Sequence, residues 1–100
     1  MLLYCVTVSI ASDVEASWLS WMQDVHIPEV LETKLPQSCN IYQVEDADTP
    51  TYAFHYTFNS REDYDTYQRD FSPALQKDHR ERYQGKFTAS RTILSLIEEK

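Results

Sequence analysis

The chain has 100 residues, a formal charge of −7, 42% hydrophobic residues and a single glycine. This length gives one domain, residues 1–100, with a modest core. The acidity argues against nucleic acid or an anionic membrane surface as partner, and one glycine leaves no room for Gly-rich phosphate loops.

The acid is unevenly placed. Residues 1–50 hold one base, Lys34, against eight acids, whereas residues 51–100 hold eight of each. "LLYCVTVSI" at 2–10 alternates at period two, with Leu2, Tyr4, Val6, Val8 and Ile10 on one face, and reads as a central strand. The N-terminus has no basic n-region, so it does not read as a signal peptide. No apolar run approaches the ~20 residues of a membrane span. Ser12 and Glu15 make a capping box. Val14, Trp18, Trp21, Met22 and Val25 recur at helical spacing, and Pro28 should stop that helix, placing it over 13–26. A weaker strand follows at 38–45, then an acidic turn.

"TYAFHYTF" at 51–58 is the clearest strand. Tyr52, Phe54, Tyr56 and Phe58 line one face, and Thr51, Ala53, His55 and Thr57 the other. Ser60 caps a second helix, with Tyr64, Tyr67, Phe71 and Leu75 on one stripe. Ser72–Pro73 interrupts it as a fresh cap and first helical residue. Gly85 sits where a left-handed helix end belongs. Residues 86–97 form the last strand. The order β-α-β-β-α-β predicts an α+β, ferredoxin-like fold: a four-stranded antiparallel sheet with both helices on one face. The other face, carrying Leu3, Cys5, Thr7, Ala53, His55 and Thr57, is mixed in polarity. It suits packing against a second copy into a dimeric α/β barrel, or else simple wetting.

His26, at the predicted helix C-terminus, is a candidate proton carrier whose pKa that position would raise. It can equally be read as capping the last carbonyls. His79, Arg82 and Tyr83 fall on one helical face that could hold a small carboxylate, Arg as a fork and His as proton donor. Arg91 alternates with Phe87, Ala89 and Ile93, so it is expected buried and in need of an anion. Trp21 and Tyr67 complete the candidate pocket, although tryptophans at helical spacing are also ordinary core. His55 lies on the opposite strand face, which argues against a three-histidine metal site. Neither metal nor cofactor is expected. Cys5 and Cys39 form no CxxC pair; they read as reduced thiols of a cytoplasmic protein, with a mutual disulfide as the lesser alternative.

"YCVTV", "WLSWMQDVHIP", "DYDTY", "SPALQKDHRERYQGKF" and "SRTIL" together resemble a small bacterial domain-of-unknown-function family placed with the dimeric α/β-barrel proteins. The resemblance spans nearly the whole chain and departs at Cys5, where Asn is expected. It implies a homodimer with a cavity between sheet and helices, and no established activity. The wider group includes cofactor-independent monooxygenases, lactone isomerases and haem degraders. The last use a paired Asn and Trp, which this chain does not match. Three readings therefore compete: a binder of a small apolar or aromatic carboxylate; a cofactor-independent oxygenase or isomerase with His26 or His79 as base; and a structural or partner-binding module. A pocket lined by His26, His79 and Arg91 would favour the first two.

Overall fold

The computed structural model describes residues 1–100. Its elements are β1 (Leu2–Ile10), α1 (Glu15–Trp21), α2 (Ile27–Glu32), β2 (Pro36–Gln43), β3 (Thr51–Phe58), α3 (Arg61–Asp70), α4 (Ser72–Arg82) and β4 (Phe87–Ser95), with a π-helical turn, Met22–His26, joining α1 to α2. The sheet order is β2-β3-β1-β4 with every pair antiparallel. This is the ferredoxin-like arrangement.

Period-two alternation decides which face is core. Leu2, Tyr4, Val8 and Ile10 of β1, and Tyr52, Phe54, Tyr56 and Phe58 of β3, are buried under the helices. Trp18 is completely enclosed, 5.6 Å from Tyr52 and 5.8 Å from Phe54 between ring centroids. Tyr4 meets Tyr56 and Tyr64, and Phe58 meets Tyr64 and Tyr67, in tilted or edge-on pairs, the geometry that aromatic quadrupoles favour.

The first helical region differs from expectation in two ways. Ser12 makes no cap. The N-cap position is Val14, without a side-chain hydrogen bond, and Glu15 instead accepts a 2.6 Å hydrogen bond from the Tyr52 hydroxyl. Pro28 does not end the helix either. Ile27 keeps helical dihedrals and its N–H reaches the Met22 carbonyl, five residues back. That widened turn is the physical reason Pro28 is tolerated: a proline ring normally clashes with the carbonyl four residues earlier. The extra residue also turns the apolar stripe. Val25, expected in the core, is exposed, while Ile27 and Val30 are buried.

Ser60 caps α3 as expected, accepting from the Asp63 N–H at 3.1 Å. The break between α3 and α4 falls at Phe71 (φ −123°, ψ −42°), which swings its ring outward instead of onto the Tyr67 stripe. Ser72 is not the cap expected there. It is the first residue of α4, is buried, and accepts from Gln76 Nε2 at 2.7 Å. β2 runs two residues earlier than 38–45, with a register irregularity between Pro36 and Ser38. β4 stops at Ser95, leaving Leu96 and Ile97 exposed beyond it.

Gly85 has φ +74°, and a Cβ built there meets nothing within 4 Å. A Gly85→Ala variant therefore suffers backbone strain without a steric clash. The expected loss is about 1 kcal/mol, measured as a lower urea midpoint with an unchanged m-value.

Candidate functional site

β1, β3 and β4 form the floor of a cavity roofed by α4 and the π turn. The inner chamber, about 40 Å³, is lined by Val8, Met22, Phe54 and Leu75 among apolar groups, and by His26, Tyr67, Ser72, Gln76, His79 and Arg91 among polar ones. An outer cleft of about 360 Å³, between the C-terminal half of α4 and β4, shares Gln76, His79, Ala89 and Arg91 with the chamber as a common wall. The crevice exists because β4, the edge strand beneath it, presents the short Ala89 opposite Val8, with Arg91 opposite Val6 at the mouth.

His79 is the centre of the site. Its imidazole accepts a buried 2.9 Å hydrogen bond at Nε2 from Trp18 Nε1, so the neutral ring carries its proton on Nδ1. Trp21 stacks on it (5.8 Å, 17°), and Phe87 closes from the sheet side at 4.1 Å. Burial pushes the His79 pKa down to about 4, with the neighbouring His26 and Arg91 adding to the effect.

His26 lies 5.8 Å from His79 and 5.2 Å from Trp21 between ring centroids. Its expected position at a helix end, with a raised pKa, is corrected on both counts. The helix continues to Glu32, so no terminal carbonyls face the ring, and burial lowers its pKa to about 4 against a weaker opposing pull from Asp78. His26 Nδ1 is buried without a hydrogen-bond partner. Both imidazoles are uncharged at neutral pH. Tyr67 stays a protonated phenol, because burial raises its pKa well above the ordinary value.

Arg91 faces the helix side, as regular alternation requires. It is exposed at the mouth, not buried as expected, and forms no ion pair. β4 is an edge strand, and α4 does not close over it. Arg82 is drawn elsewhere: its guanidinium lies over Trp21 at 5.1 Å. The expected His79–Arg82–Tyr83 clamp therefore does not assemble round the cavity. His26, Tyr67, His79 and Arg91 line the chamber, while Trp21, Arg82 and Tyr83 form a layer behind His79. Sequence reasoning missed Ser72 and Gln76. Their spacing to His79 (72, 76, 79) is one helical face, a signal masked by treating Ser72 as a cap.

A family model described as "Domain of unknown function (DUF4286)" matches residues 1–97. The chain belongs to this family. No curated protein matches the DUF4286 chain in sequence. Solved structures share its fold at low identity. A candidate antibiotic biosynthesis monooxygenase from Deinococcus radiodurans superposes with a TM-score of 0.74 at 12% identity, covering 100% of this chain and 96% of that one. One of the same description from Nitrosomonas europaea gives 0.72 at 12%, covering 98% and 100%. A dimeric ferredoxin-like protein from an uncultured marine organism gives 0.72 at 12%, covering 99% and 96%.

Proposed function

We propose that this DUF4286 domain is a cytoplasmic homodimer that binds a small aromatic carboxylate between sheet and α4, its anionic group on Arg91. One observation carries the reading: an apolar chamber with two uncharged imidazoles opens into a cleft beside an exposed guanidinium without a carboxylate partner. Size constrains the pose. About 40 Å³ suits a few water molecules, so the ligand body occupies the cleft and only a narrow polar end reaches His79.

Dimerisation through the open sheet face is supported by the mixed character of that face. It is also supported by the dimeric ferredoxin-like protein of the same fold. No helix is long and apolar enough to cross a membrane, and two free thiols fit a reducing compartment.

The test is calorimetric titration with a panel of benzoate- and phenylacetate-type acids. Arg91→Ala should weaken the best binder about fivefold, the upper size expected for a solvent-screened charge contact. Equal affinity in both proteins removes Arg91 as the anion contact. Catalysis is the second reading, favoured by neutral His26, whose Nδ1 has no hydrogen-bond partner, whereas the acceptor nitrogen of His79 is held by Trp18 Nε1. It ranks lower because a base with a pKa near 4 is weak at that pH. Oxygen uptake with the same panel, lost in His26→Ala, would reverse that order.

A further inference from the structure

Sheet register places four side chains in one row across the open face: Thr92 on β4, Cys5 on β1, His55 on β3 and Asn40 on β2. β1 and β3 are the two central strands, and Cys5 and His55 stand near the middle of each. Directly opposed residues on one face have Cβ atoms ~4.5–5.5 Å apart. A reduced thiol and an imidazole therefore sit side by side at the centre of the face.

We propose that Cys5 and His55 are half of a tetrahedral zinc-class metal site, completed by the same two residues of a second copy. The inference rests on the homodimer proposed above. An isologous interface has its twofold axis through the middle of the shared patch, which is where this pair lies. Facing sheets pack ~10 Å apart, so the midplane is ~5 Å from either backbone. Bonds of ~2.3 Å to sulfur and ~2.0–2.1 Å to imidazole nitrogen reach it. One copy cannot build the site alone, since no group of three His, Cys, Asp or Glu side chains converges in the chain. Two sulfur and two nitrogen ligands suit zinc and not magnesium or calcium.

Burial raises the Cys5 pKa, so the thiol is uncharged until a cation arrives, and metal uptake releases its proton. Asn40, next in the row, stands where it can orient the other imidazole N–H.

Cobalt(II), a spectroscopic substitute for zinc, tests this on the full chain, with oligomeric state followed by light scattering in chelator and in metal. The expected result is one cobalt per two chains with an intense near-ultraviolet sulfur-to-cobalt band, lost in both Cys5→Ser and His55→Ala. Circular dichroism confirms that each variant is folded; should one fail to fold, the other decides. A dimer without that band, or a band that survives in the folded variants, overturns the metal site and leaves the dimer standing. A monomer under every condition overturns both.

Discussion

Trp18→Ala is expected to lower the unfolding free energy by about 3–5 kcal/mol, a fifth or more of what a domain this size possesses. Two losses combine. The indole is fully enclosed between Tyr52, Phe54 and His79, so its removal leaves a large cavity in the only core. It also donates to His79 Nε2, whose acceptor would remain buried and unsatisfied. The midpoint of thermal unfolding should fall by more than about 12 °C. Trp18→Phe separates the contributions: it keeps most of the volume and loses the donor, for about 1–3 kcal/mol. Identical stability of wild type and Trp18→Phe would show that this hydrogen bond adds nothing.

The second large effect is a dependence on pH. His26 and His79 have pKa values near 4 in the folded chain against an ordinary value of 6.5. Unfolding exposes both, so between these values the unfolded state binds more protons than the folded one, and stability rises with pH. The stabilisation is complete above pH 6.5 and is lost progressively as pH falls from 6.5 towards 4. Each pKa unit corresponds to about 1.4 kcal/mol, so a shift from 6.5 to about 4 makes either ring alone worth on the order of 3–4 kcal/mol across the window. Because the two rings lie 5.8 Å apart, the second to charge also meets the first, and their effects are not independent. Urea unfolding at a series of pH values should give a slope approaching two protons, and about one in a His26→Gln variant. The exposed carboxyls Asp13 and Asp70, each held below its usual value by a basic partner, act at lower pH and do not mask the window. A flat profile from pH 7 to 4.5 would mean that the histidines are solvated.

Much of the scaffold was legible in the chain because one rule with no long-range input suffices. Strict alternation at 2–10 and 51–58 fixed both central strands and their core faces. Ser60 and Asp63 fixed the start of α3, and Gly85 the left-handed residue after α4. The site was legible only in part. His79 and Tyr67 fall on the cavity side by helical spacing, and Arg91 by strand alternation. The failures share a cause: each depended on where a helix lies, not on whether it forms. Arg91 is exposed because α4 leaves β4 uncovered. Arg82 misses the cavity because the face of Trp21 is nearer. His26 departs from expectation because Pro28 reads as a helix stop, and local propensity carries no sign of a five-residue turn.

That turn has one more consequence. Upstream and downstream halves of the helix run out of phase by one residue, and Met22–His26 is the slip between them. Deleting Gln23 would let the run close as a uniform α-helix, since one residue fewer removes the slack that the widened turn takes up. The residues of the turn itself, His26 among them, would then be re-aimed relative to the chamber. The histidine pair thus depends on the widened turn of Met22–His26.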